Sequence, residues 1–189
     1  MPRTLLLLLV ALISCDPASL DSGSEADADT DTDADTDTDT DTDTDASIPV
    51  LHINEFMASN ASYTFDDGES TPDWVEIYNP GRSDVSLEGF TITDDLEEPG
   101  KHTLGELSVP AGGFLLLIAD GDPSLGERHL DFKLSSDAED LGLYAPGGEP
   151  IDRLSYTDQA TDMSAARIPD GGELQIVSEP TPGESNGSR

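Results

Sequence analysis

Between Asp27 and Asp45 every odd position is Asp, with seven Thr and two Ala at the even positions. No other feature restricts so sharply where this chain can fold. Residues 16–46 hold 13 acids and no base, and they carry no apolar run to bury. Repulsion among the carboxylates and the lack of a buriable face predict a disordered, extended tether. At ~3.3 Å per residue, the 32 residues from Asp16 to Ser47 reach at most roughly 105 Å. The expected folded domain is therefore 47–189, about 143 residues, enough for a single domain with a true core.

The alternation also resembles the opening D-x-D-x-D of an EF-hand calcium loop. That loop requires Gly at its sixth position and Glu at its twelfth. No Gly lies between Glu25 and Ile48, so diffuse attraction of divalent cations is expected rather than a preformed site. The threonines could also carry glycans, which the sequence leaves open.

Ahead of the tether, Arg3 is followed by nine uninterrupted apolar residues from Leu5 to Ile13, and then Ser14 and Cys15. Nine is well below the ~20 residues that span a bilayer and fits the roughly 7–15 of a signal-peptide core. Leu12-Ile13-Ser14-Cys15 reads as a bacterial lipobox, with residues 1–14 removed as a lipoprotein signal peptide and lipid attached at Cys15. Cys15 is the chain's one cysteine. A lone thiol is awkward in an exported protein, whereas a lipidated one is consumed. Two or three acyl chains would make membrane retention effectively permanent. Asp16 resembles an inner-membrane retention signal, but leaflet and side stay open. Without disulfides, the domain must be stable on its own core.

Charge narrows the partners. Of 41 acids in the chain, 13 lie in 16–46, leaving 28 in the domain against seven bases. Phosphate recognition needs clustered Lys and Arg, and here the bases are scattered from Arg82 to Arg189. No nucleic-acid partner is expected.

The domain reads as all-β. Strands are predicted at 50–57, 74–79, 87–93, 114–119, 141–144, 151–156 and 165–168, with weaker candidates at 103–107 and 174–177. The gaps are rich in Gly, Pro, Asp and Ser, the punctuation of a sandwich rather than of βαβ units. Phe114-Leu115-Leu116-Leu117-Ile118 is apolar on both faces and predicts a central strand. In 74–79, Trp74, Glu76 and Tyr78 share one face, Val75, Ile77 and Asn79 the other.

Seven short motifs in order then resemble one family. They are His52-Ile53-Asn54-Glu55-Phe56, Asp73-Trp74-Val75-Glu76-Ile77-Tyr78-Asn79, and Leu87-Glu88-Gly89-Phe90-Thr91-Ile92-Thr93-Asp94. Pro110-Ala111-Gly112-Gly113-Phe114-Leu115-Leu116 follows, then Ile151-Asp152-Arg153-Leu154 with Ser164-Ala165-Ala166-Arg167, and finally Thr181-Pro182-Gly183-Glu184-Ser185-Asn186. Together they resemble a bacterial lamin-tail domain over nearly all of 48–186. The resemblance implies an immunoglobulin-like β-sandwich, which the composition reading places after the disordered acidic tether. In relatives the domain serves interaction or tethering, so a non-catalytic role is implied. This chain shows neither the coiled-coil rod of lamins nor a catalytic companion.

Candidate sites are few. Glu55 and Glu76 fall on strands expected to be buried, where an unpaired carboxylate is costly. Arg167 is their expected partner in a structural polar network that fixes strand register. Asp66, Asp67, Glu69 and Asp73 from one loop, with Asp94 and Asp95 from another, could gather oxygens around Ca²⁺ if the loops meet at one end of the sandwich. His52, His102 and His129 show no metal-ligand spacing. Gly183-Glu184-Ser185-Asn186-Gly187 fits G-x-S-x-G, but it lacks the elbow context and a downstream His, so it is read as coincidence. No catalytic residue is assigned.

Two functional readings stay open on the sequence alone. The favoured one is a non-catalytic envelope module, held to a membrane by its lipid anchor and contacting an envelope protein or a glycan. The alternative is a Ca²⁺-dependent adhesion or cation-binding surface lipoprotein.

Overall fold

The computed structural model describes residues 48–65 and 68–187. The leader, Cys15, the acidic tether, and the loop acids Asp66 and Asp67 lie outside the described residues.

Among the described residues, eleven strands form two principal antiparallel sheets and a small ribbon. The first sheet contains β1 (His52–Met57), β2 (Asp73–Tyr78), β7 (Phe114–Ala119), β10 (Ser164–Ile168) and β11 (Glu173–Val177), in the order β11-β10-β1-β2-β7. The second contains β4 (Thr91–Thr93), β5 (His102–Thr103), β8 (Glu139–Tyr144) and β9 (Pro150–Tyr156), in the order β5-β4-β8-β9. β3 (Val85–Ser86) and β6 (Ser108–Val109) pair as the ribbon. A 3-10 turn at Pro123–Leu125 is the one helical element among the described residues.

The two sheets enclose one core. Ile53, Phe56, Val75, Ile77, Leu117 and Ala165 from the first sheet meet Ile92, Leu141, Leu143 and Tyr156 from the second. Alternation along β2 sends Val75 and Ile77 inward, leaving Trp74 and Glu76 on the outer face. On β1 the alternation changes phase. Ile53 pairs with Ile77 but Glu55 pairs with Glu76, so Asn54 is the extra residue of a β-bulge. Ile53 faces the core before the bulge and Phe56 after it, which turns Glu55 onto the same outer face as Glu76. The architecture is the all-β, immunoglobulin-like sandwich expected.

Two strand expectations need correction. The continuous strand at 87–93 is broken: Phe90 N–H closes a turn onto Leu87 C=O, with Gly89 at φ +78°, and regular pairing starts only at Thr91. Left-handed backbone at Gly89 suits glycine and no β-strand. β7 is not central either, since it ends the ladder of its sheet. Its apolar residues are covered instead by the segment that follows. Ile118 N–H donates to Arg128 C=O and Leu130 N–H to Ile118 C=O, so this edge is paired at Ile118.

Candidate functional site

The fully buried polar side chains of the outer face gather around the Asn54 bulge. A bulge leaves ladder groups unpaired, and here each finds a side chain from a distant motif. Ile53 N–H donates to Asp152 Oδ2 at 2.9 Å. Ile53 C=O accepts from Arg167 Nε at 3.0 Å. Asn54 C=O accepts from Asn186 Nδ2 at 3.3 Å. The Asn54 side chain donates to Glu76 Oε1 at 3.0 Å and to Asp170 Oδ1 at 3.1 Å. Its own Oδ1 accepts the Gly171 N–H at 3.0 Å. Gly171 has φ +71°, and a Cβ there would press on the His52 ring, so only glycine makes this approach.

The carboxylates are used by the C-terminal segment. Glu55 accepts from Ser164 Oγ and, through Oε2, from the backbone N–H and hydroxyl of Thr181, both at 3.1 Å. Glu76 Oε2 accepts Gly183 N–H at 2.6 Å. Asp170 accepts the Asn186 N–H at 2.9 Å and the Ser185 hydroxyl. Residues 181–186 thus lie as a strap held by Glu55, Glu76 and Asp170. Burial pushes the Glu76 carboxyl up to about 8; Asn54 and Gly183 N–H pull it back, and the neighbouring Glu55 and Asp170 add to the rise.

Arg167 was expected to pair with Glu55 and Glu76; its guanidinium goes elsewhere. Nη2 donates to both oxygens of Asp152, at 3.2 and 3.0 Å, and Nη1 donates to Gly172 C=O at 2.9 Å. The sequence places Arg167 and Asp152 in neighbouring motifs, but nothing in their spacing shows that β9 and β10 lie in different sheets with these side chains facing. A clue to Asn54 and Asn186 was available: buried amides suit a bulge because each can donate and accept at once.

Of the loop acids, Glu69, Asp73, Asp94 and Asp95 are described, and Asp66 and Asp67 lie outside the described residues. Asp94 forms an ion pair with Lys101 Nζ at 2.5 Å, and this pairing raises the lysine. Asp95 Oδ1 caps its own turn by accepting Glu97 N–H at 2.9 Å. Asp73 Oδ1 accepts Asn60 N–H at 3.1 Å, with its carboxyl raised by burial. Glu69 is exposed on its loop. Among the described residues, no three His, Cys, Asp or Glu side chains come close enough to share a metal ion. The histidines each meet a different aspartate: His52 with Asp152 at 4.0 Å, His102 with Asp131 at 3.3 Å, and His129 with Asp120 at 2.7 Å.

A family model for the Lamin Tail Domain matches residues 44–158. The chain belongs to that family. No curated protein and no solved structure matches it in the same comparisons. The lamin-tail family is non-catalytic and immunoglobulin-like, in keeping with carboxylates that hold a strap rather than line a reaction site. The matched region stops before β10, β11 and the strap, although β10 pairs directly with β1. In this lamin-tail domain β10 and β11, beyond the matched region, therefore complete the sheet on which the first motif lies.

Proposed function

We propose that this chain is a bacterial envelope lipoprotein, in which a lipid at Cys15 and the acidic tether present a non-catalytic lamin-tail domain to a partner. The partner is an envelope protein or a glycan. The observation that carries the anchoring is the sequence itself: the single cysteine closes a nine-residue apolar run and is followed by an Asp/Thr tract with 13 acids and no base. The non-catalytic reading is supported by how the buried polar groups are spent. Glu55, Glu76, Asp152 and Arg167 are committed to the bulge and the strap. The domain's 28 acids against seven bases argue against nucleic acid as the partner.

Cys15→Ala in the full chain tests the anchor. Wild type should sediment with membranes and label with a fatty-acid tracer. The variant should take up no label and move to the soluble fraction. An unlabelled wild type, or a variant that stays with the membrane, rules the anchor out.

A further inference from the structure

A second feature of the outer face lies away from the strap. Trp74 and its strand partner Ile118 sit on that face where β2 begins and β7 ends. The loop after β1 folds across, and the Phe65 ring meets the Trp74 ring edge-on at 6.3 Å. Asn60 fixes this loop, its amide donating to Tyr63 and Pro72 carbonyls at 2.7 Å each. On the other side, the 3-10 turn at Pro123–Leu125 rises from β7, capped by Asp122. Between loop and turn is a cavity of about 310 Å³. Phe65, Pro72, Ile118 and Leu125 form its apolar walls, with Asp120 and His129 as its polar end.

Folding alone does not account for this arrangement. Leu125 stands 63% exposed on the lip. The Trp74 indole N–H, fully buried between two lining residues, has no hydrogen-bond partner among the described residues. An apolar cleft with a few convergent polar groups is the usual form of a small-ligand site, and this volume is near the lower end of the roughly 300–1,000 Å³ that such sites occupy.

We infer that this cleft binds a small amphipathic cation, an apolar ring or chain carrying a protonated amine. Asp120 accepts from His129 Nδ1 at 2.7 Å and from Asp122 N–H at 3.0 Å, and it brings a carboxylate to the polar end of the cavity. Phe65 lines the cavity with an aromatic ring, a group that attracts an ammonium. A chain of formal charge −33 concentrates cations around itself and repels anions. The Asp120 backbone pairs with that of Lys133, which lines the adjoining groove. This site is independent of the lipid anchor and would exist without it.

The test uses the full chain, its single Trp74 as fluorophore, and three probes of one shape: phenethylamine, 2-phenylethanol and phenylacetate. Methyl chemical shifts of Ile118 and Leu125 report the location in parallel. Phenethylamine should give a saturable change in emission and shift both methyl signals, with affinity at least tenfold above that of phenylacetate. Asp120→Asn should abolish the preference for the amine. Leu125→Ser, at an exposed position that folding does not need, should weaken all binding. Shifts absent from the two methyls, phenylacetate binding as well as the amine, or Leu125→Ser binding unchanged would each overturn the inference.

Discussion

Asp152 on β9 and Arg167 on β10 join the two sheets through a forked pair of hydrogen bonds, at 3.2 and 3.0 Å. The same carboxylate accepts the Ile53 N–H at the start of the bulge. Both side chains are largely buried, Arg167 at 17% and Asp152 at 14% exposure, so removing one leaves the other charge poorly solvated. Breaking such a pair costs about 3 kcal/mol or more. Arg167→Met should therefore lower the melting temperature by roughly 6–12 °C. Arg167→Lys should recover little, because a lysine cannot serve Ile53, Gly172 and Asp152 together. Thermal melts by circular dichroism check both variants.

The strap makes a second prediction. Removing residues 179–189 takes Thr181 and Gly183 away from Glu55 and Glu76 and leaves carboxyls on the outer face without those donors. The truncated chain should be destabilised by about 2–4 kcal/mol in denaturant titration. Adding Glu55→Gln to the truncation should restore part of the loss, since a neutral amide is cheaper to strand than a carboxylate. If truncation leaves the midpoint unchanged, the strap is not held as described.

Glu76 links the same region to pH. Its carboxyl is raised from 4.5 to about 8 in the folded state. Between those values the native protein keeps a proton that the unfolded chain has lost. Its stabilising contribution is full below about pH 4.5 and disappears as pH rises through 8. The melting temperature should therefore fall by several degrees between pH 6 and pH 9. Glu76→Gln removes the titration, and its melting curve should be flat over that interval.

How far the sequence revealed this molecule differs between core and site. β1, β2, β7, β8, β9 and β10 were legible because short apolar runs flanked by Gly, Pro and Asp carry the period of a strand. β3, β5 and β6 have two residues each, too few for any period, and Gly89 breaks a run that composition alone makes continuous. Burial of Glu55 and Glu76 was readable from their position among apolar neighbours. Their partners were not, because one residue inserted at Asn54 reverses which side chains share a face. Docking of Thr181 and Gly183 joins positions more than 100 residues apart, a separation at which spacing carries no information.

Calcium provides a further check. Asp94 is already neutralised by Lys101, and Asp73 is tied to Asn60. Ca²⁺ and Mg²⁺ at equal concentration should shift the melting temperature of the full chain equally, through screening of its acids. A saturable rise with Ca²⁺ alone, lost in Asp94→Asn, would show that Lys101 yields its place to the ion.

The most direct measurement is the intact mass of the full-length gene product extracted from membranes. A lipid-anchored module predicts a chain that starts at Cys15, lacks residues 1–14, and carries the added mass of two or three acyl chains on that residue. A chain that retains the leader, or is cleaved elsewhere with the Cys15 thiol free, would contradict the account.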